Sequence, residues 1–261
     1  MARPGRSRYH PGVLAAFSVL YWAFFALTLP VFFVGALVVF AVTAPFDRRR
    51  VALHLYSCFW GSFYVYLNPL WRCRVTGRER LPWRGAAVIV ANHLSLVDIV
   101  VLYGLYRPFK WVSKSSLFKV PFLGWNMALN DYVPVTRGAA DSVRRMLAHC
   151  RRHLAAGSPL LLFPEGTRSA TGELQPFKDG AFRLAREAGV PVIPVALSGT
   201  YESIPKHGVV MRSRMDARVE ILEPIDSGAF PDAAALRDAA RSAIAGALAR
   251  RAGGDRSRPA A

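Results

Sequence analysis

From Pro11 to Phe46 the chain carries no charged side chain. A charge-free apolar stretch of this length cannot lie on the surface of a globule. It must be buried or lodged in a bilayer, and it exceeds the roughly 20 residues that one crossing needs. Pro30 interrupts it, leaving Val13–Leu29 and Val31–Thr43 as two unequal apolar pieces. A cleaved leader is not expected, because the run is too long and Pro45 follows Ala44, the most plausible cleavage point. A second apolar stretch, Val51–Trp71, is rich in Tyr, Phe and Trp, the residues that favour membrane interfaces. The two stretches read either as two transmembrane helices or as a helical hairpin dipping into one leaflet. The hairpin keeps every arginine cluster on the cytoplasmic face. Residues 1–12 are then a basic arm, and 13–71 a membrane-associated helical element.

The net charge of +17 narrows the setting. Such an excess fits nucleic acid, an anionic membrane surface or an anionic substrate. No zinc-finger spacing, recognition-helix pattern or aromatic RNA-binding signature accompanies it. Instead the basic residues flank the apolar segments: Arg3, Arg6 and Arg8 before the first, Arg48–Arg50 after it, then Arg72 to Arg84. That placement favours phospholipid head groups, and no nucleic-acid partner is expected. The three cysteines, Cys58, Cys73 and Cys150, form no C-x-x-C and no even framework, so free thiols in a reducing compartment are expected.

From residue 72 onward short apolar runs alternate with helical periodicity, which predicts an α/β domain over 72–249. Strands are expected at Arg72–Thr76, Val88–Val90, Phe109–Ser113, Tyr132–Val135, Leu160–Phe163, Val190–Leu197 and Arg218–Leu222. Ala140–Ala156 has Val143, Met146, Leu147, Cys150 and Leu154 on one helical face. Asp232 caps a last helix with Leu236, Ala240, Ile244 and Leu248 on another. Residues 250–261 read as a basic tail.

The stretch Val88–Ile99 places chemistry on that scaffold. A buried strand stops at Asn92-His93, and a helix starts near Ile99. Ligands in α/β proteins bind beyond the carboxyl ends of strands, which is where His93 falls. Asp98 can orient and charge-balance its imidazole, provided that His93 precedes the helix and Asp98 lies in its first turn. Ser95 to Asp98 equally matches a helix-capping pattern, so the carboxylate has a structural reading too. Two further strands end in polar groups: Arg137 follows one, and Glu165-Gly166-Thr167-Arg168 follows another. Gly166 would let the backbone approach a ligand, and Thr167, Arg168 and Lys114 supply donors suited to phosphate. A base beside anion-binding donors points to a reaction on a phosphate-bearing substrate.

Four blocks in order resemble the glycerolipid acyltransferase family, the bacterial 1-acyl-sn-glycerol-3-phosphate and related lysophospholipid acyltransferases. They are Asn92-His93-x4-Asp98; Lys114-x-x-Leu117-Phe118-x-x-Pro121-x-x-Gly124-Trp125 leading to Arg137; Phe163-Pro164-Glu165-Gly166-Thr167-Arg168-Ser169; and Val190-Pro191-Val192-Ile193-Pro194-Val195. Phe177-Lys178-x-Gly180 and Glu223-Pro224-Ile225 are weaker matches. The resemblance implies a mixed sheet flanked by helices, with an N-terminal two-helix membrane element. It makes His93 the general base, Asp98 its orienting partner, and Lys114, Arg137, Glu165, Gly166, Thr167 and Arg168 the acceptor-phosphate site. Pro194 and its neighbours fall on the acyl-donor side. It implies acyl-CoA or acyl carrier protein as donor, a lysophospholipid as acceptor, an inner-membrane location on the cytoplasmic face, and no metal or other cofactor. One departure stands out: before Arg137 the family often has a Gly-containing stretch, where this chain has Asn130–Thr136.

Competing chemistries leave no trace. There is no His-Glu-x-x-His, no P-loop and no Gly-x-Ser-x-Gly. The alternatives that stand are an acyltransferase for another acceptor, such as a different lysophospholipid or an ornithine lipid, and a catalytically silent lipid-binding protein.

Overall fold

The computed structural model describes residues 11–204, 210–211 and 214–256, so residues 1–10 of the basic arm and 257–261 of the basic tail fall outside it. Helices α1 (Pro11–Thr43) and α2 (Val51–Leu67) lead into β1 (Trp71–Thr76), β2 (Val88–Ala91), α3 (Val97–Tyr103) and β3 (Lys110–Lys114). Then come α4 (Leu123–Leu129), β4 (Val133–Val135), α5 (Ala140–Ala155), β5 (Leu160–Leu162), α6 (Gly180–Ala188), β6 (Val192–Ser198), β7 (Met215–Ile221) and α7 (Ala233–Arg256). The strands form one seven-stranded sheet in the order β1-β7-β6-β2-β5-β3-β4. All neighbours are parallel except β6 and β7, so the sheet is mixed, as expected.

Its central strands are apolar along their whole length because both faces are covered. Side chains alternate across β2 and β6. Ile89, Ala91, Ile193, Val195 and Leu197 join the core beneath α2 and α3, whereas Val88, Val90, Val192 and Ala196 join the core beneath α5, α6 and α7. The apolar face read for the last helix is the buried one: Leu236, Ala240 and Ile244 are fully enclosed, and Asp232 Oδ1 accepts the Ala235 N–H at its start. That helix runs on through Arg256, past the expected boundary at 249. All three cysteines are free.

The N-terminal element holds one long apolar helix where two apolar pieces were expected. Pro30 does not break α1. It removes one N–H from the ladder, but the helix is fastened to α2 on either side of it. Thr28 Oγ1 bonds Tyr64 Oη at 2.7 Å, and Tyr56 Oη donates to the Phe32 carbonyl at 3.0 Å. Among the described residues, α1 is the one helix long and apolar enough to cross a membrane. Helix α2 forms where a second membrane helix was expected, yet it belongs to the globular core. Leu53, His54, Cys58, Trp60, Tyr64 and Val65 are buried, His54 bonds Tyr132 Oη at 2.7 Å, and Arg50, just before the helix, donates to the Ala128 carbonyl at 3.2 Å. Its buried rings pack against α1 and α3, while Phe59 and Tyr66 remain exposed. The outer face of α1 leaves Val19, Leu20, Leu27, Val31 and Val42 each more than 60% exposed.

Gly199, just past β6, holds φ at +81°, and a Cβ there would fall 2.1 Å from the Asp216 carbonyl oxygen. Left-handed backbone costs an L residue about 1–2 kcal/mol before any clash. Gly199→Ala is therefore expected to lower stability by about 2 kcal/mol or more, read as a fall of several degrees in the thermal midpoint. An unchanged midpoint would show that the β6 terminus yields freely.

Candidate active site

Parallel strands β6, β2, β5, β3 and β4 are consecutive in the sheet, so their carboxyl ends share one edge. His93 stands two residues beyond β2, Glu165–Arg168 follow β5, Lys114 closes β3 and Arg137 stands two residues beyond β4. Ser115 and Thr136, neighbours of Lys114 and Arg137, bond each other through their hydroxyls at 2.7 Å, which ties the two cation-bearing loops together. The topology thus gathers every expected site residue on a single edge.

His93 precedes α3 and Asp98 lies in its first turn, the one arrangement in which a five-residue spacing lets them meet. His93 Nδ1 lies 2.9 Å from Asp98 Oδ2. The same oxygen accepts the backbone N–H groups of Leu94 at 2.6 Å and Ser95 at 2.8 Å, and Oδ1 accepts the Thr200 hydroxyl at 2.5 Å. The structural and chemical readings of Asp98 are therefore both correct: one carboxylate caps the turn and grips the imidazole. A carboxylate only accepts, so Nδ1 carries the proton and Nε2 presents its lone pair. Phe163 stacks on the ring with centroids 3.9 Å apart and planes 11° apart. Asn92 serves the scaffold, exchanging two hydrogen bonds with the backbone of Leu197 on β6.

The loop after β5 clamps the backbone of His93. Glu165 Oε1 accepts the His93 N–H at 3.0 Å, and the Ser169 N–H donates to the His93 carbonyl at 2.8 Å. Glu165 is only 5% exposed, and its Oε2 has no hydrogen-bond partner among the described residues. Burial raises its carboxyl from the ordinary value of 4.5 to about 7. It faces inward, whereas Lys114, Arg137 and Thr167 are exposed and Arg168 is half-buried. Gly166 has φ +74°, and a Cβ there would meet Lys178 Nζ at 3.0 Å and Cε at 3.1 Å. What crosses this glycine is the Lys178 side chain, which adds a cation to the edge.

Sequence reasoning missed Thr200. A hydroxyl two residues past a strand carries no local signature; only the register of β6 beside β2 brings it to Asp98. The departure at Asn130–Thr136 lies largely elsewhere. Asn130 and Tyr132 are buried at the amino end of β4, where the Asn130 amide donates to Ser57 Oγ at 3.0 Å, and only Thr136 and Arg137 reach the site's edge.

Beside the edge is an apolar cavity of about 240 Å³. Leu96, Val97 and Val100 of the α3 region line one part of it. Tyr21 and Phe25 of α1, Trp60 and Tyr64 of α2, and Leu123 and Met127 of α4 line the rest. Its walls offer dispersion contacts and few polar groups, the environment an alkyl chain requires.

An imidazole held by a buried carboxylate, clustered cations and an apolar cavity narrow the chemistry, and comparison with known proteins fixes the family. The family model described as Acyltransferase matches residues 72–198. A 1-acyl-sn-glycerol-3-phosphate acyltransferase of Chlamydomonas reinhardtii is 38% identical over 245 residues, covering 91% of this chain and 72% of its own length. The chain belongs to the acyltransferase family. It is an acyl-transferring enzyme of phospholipid biosynthesis. A chloroplastic 1-acyl-sn-glycerol-3-phosphate acyltransferase of Brassica napus is 38% identical over 202 residues, which is 77% of this chain and 57% of that longer one. Among solved structures, the 1-acyl-sn-glycerophosphate (LPA) acyltransferase PlsC of Thermotoga maritima superposes with a TM-score of 0.75 at 25% identity, over 97% of this chain and all of that one.

Two outcomes are expected from this geometry. Thr200→Val removes one hydrogen bond to a buried carboxylate and should lower turnover by roughly tenfold to a hundredfold. Thr200→Ser should retain most of the activity, as measured by steady-state thiol release. The second concerns stability. The folded chain holds a proton on Glu165 up to about pH 7, whereas the unfolded chain releases it near 4.5. This group's contribution to folding is therefore complete below pH 4.5 and declines as pH rises from there to 7. Denaturant titrations should show that decline in the wild type and not in Glu165→Gln, which is neutral throughout.

Proposed function

We propose that the enzyme moves a fatty acyl group from acyl-CoA or acyl-ACP to the sn-2 hydroxyl of 1-acylglycerol-3-phosphate, giving phosphatidic acid. The observation that carries this reading is the His93–Asp98 pair, on a sheet edge that also bears Lys114, Arg137, Arg168 and Lys178. His93 Nε2 takes the proton of the acceptor hydroxyl as its oxygen attacks the thioester carbonyl. The tetrahedral intermediate collapses with cleavage of the C–S bond, and the imidazolium returns the proton to the departing thiolate. An ester and a free thiol result, and the enzyme is restored. The thioester is already activated, so the reaction calls on no metal and no covalent enzyme intermediate.

Asp98 keeps the proton on Nδ1 and balances the imidazolium charge. The basic side chains hold the acceptor phosphate, with arginine offering two parallel donors. Glu165 contributes through the backbone of His93. Its burial raises the carboxyl pKa to about 7, which lessens the negative charge that would repel the phosphate. The apolar cavity beside Leu96 and Val97 receives an acyl chain. The exposed apolar face of α1 lies in lipid at the cytoplasmic face of the inner membrane, where Arg48–Arg50 meet anionic head groups. The acceptor then reaches His93 without leaving the bilayer surface.

A panel of lysophospholipids with an acyl thioester, assayed for thiol release and lipid product, tests this reading. Lysophosphatidic acid is expected to be the best acceptor and phosphatidic acid the product, with His93→Ala reducing transfer to background while membrane attachment persists. Preference for an acceptor without a terminal phosphate would contradict the acceptor assignment, and near-normal turnover in His93→Ala would contradict the mechanism.

A further inference from the structure

At the amino end of β4, on the sheet edge opposite the catalytic one, Asp131, His149 and His153 come together. Asp131 sits in the left-handed region, φ 56°, just ahead of the strand. The two histidines are one turn apart on α5, their rings stacked with centroids 4.7 Å apart. Asp131 Oδ1 lies 3.1 Å from His149 Nε2, and Oδ2 lies 3.6 Å from His153 Nε2. One donor atom from each residue falls within 4.8 Å of the others. Ligand atoms about 2.0–2.1 Å from a tetrahedral zinc ion stand roughly 3.3 Å apart, and the two contacts, made by different oxygens of the carboxylate, lie on either side of that value. The donors already converge on a cationic group: Arg152 Nη2 lies 2.8 Å from His149 Nε2 and 3.1 Å from Asp131 Oδ2. The Arg152 side chain is 65% exposed, so it can swing into water without stranding a buried charge.

We infer that Asp131, His149 and His153 form a zinc site in which the ion replaces the Arg152 guanidinium and clamps α5 to the turn before β4. Two imidazoles and one carboxylate suit zinc, with water completing the tetrahedron. They do not suit calcium or magnesium, which need mostly oxygen donors. Lys110 and Arg50 add positive charge near Asp131, so an ion here must be held by imidazole coordination rather than by charge alone. His153 Nε2 now donates to the Asp131 carbonyl at 2.8 Å. On binding, that proton moves to Nδ1 and the metal takes the place of the hydrogen bond. The site is separate from the acyl-transfer chemistry. It lies on the strand whose far end delivers Arg137.

The test uses the purified full-length chain in detergent, stripped with a chelator and titrated with zinc alone by calorimetry. One ion per chain and a raised thermal midpoint are expected. His149→Ala should weaken binding at least about tenfold, and Arg152→Ala should tighten it severalfold by removing the competing cation. Cobalt in the wild-type protein should give intense tetrahedral ligand-field bands without a thiolate charge-transfer band, a readout independent of how any variant folds. Absence of one-to-one binding, affinity indifferent to both His149→Ala and Arg152→Ala, or a thiolate band pointing to Cys150 would each overturn the assignment.

Discussion

A carboxylate that is fully enclosed must have its lone pairs met, or it will not stay ionised. Asp98 is wholly buried and meets this demand with donors from two distant parts of the chain: His93, Leu94 and Ser95 before α3, and Thr200 beyond β6. Much of the site's architecture follows from that satisfaction. The turn after β2 must curl so that two amides point at one oxygen, which fixes where His93 leaves the strand. Strand β6 must lie beside β2 in its observed register, which Asn92 locks through Leu197. Gly199 must turn the chain where no side chain fits, so that Thr200 reaches the second oxygen. Catalytic orientation and fold stability are here the same set of hydrogen bonds.

The apolar half of the molecule obeys a different constraint. Residues that look made for a bilayer divide between two tasks. Helix α2 lies between α1 and α3; Tyr56 and Tyr64 hydrogen-bond to α1, while His54 and Ser57 find partners in the globular domain. Helix α1 covers one side of α2 and keeps the other side bare. The apolar cavity lies among α1, α2, α3 and α4, so the proposed anchor and the proposed acyl pocket share the same helices. This gives a physical reason for an enzyme of lipids to carry its apolar stretch at the domain's flank, continuous with the site.

Much of this was legible in the sequence because the relevant signals are local. The strand at Val88–Val90, the polar stop at Asn92-His93 and the capping pattern at Ser95–Asp98 together located the imidazole and its partner. Parallel strands needed no more than apolar runs to be found, and a shared edge followed from their topology. What escaped depended on contacts between distant segments. Thr200 has no neighbouring motif. Pro30 reads as a break, yet packing against Tyr56 and Tyr64 keeps the helix whole. An aromatic helix bound for a core and one bound for a membrane interface look alike in composition, so α2 was legible as a helix and not in its placement. Gly166 signalled a close approach, and the Lys178 side chain is one group that makes it. Glu165 was grouped with phosphate-binding residues by its neighbours, while its burial turns it toward His93.

The central claim is that His93 acts directly as a base on the acceptor, with no acyl group resting on the protein. Ser95, the nearest hydroxyl in sequence, is buried, with its Oγ 3.4 Å from the Ile204 carbonyl, so it is poorly placed to attack a thioester. Rapid-quench measurement of thiol release at high enzyme concentration, with and without lysolipid acceptor, tests the claim most directly. The account predicts no burst without acceptor and immediate release once acceptor is present. A burst of thiol equal to the enzyme concentration in the absence of acceptor would contradict it, because it would require a covalent acyl-enzyme.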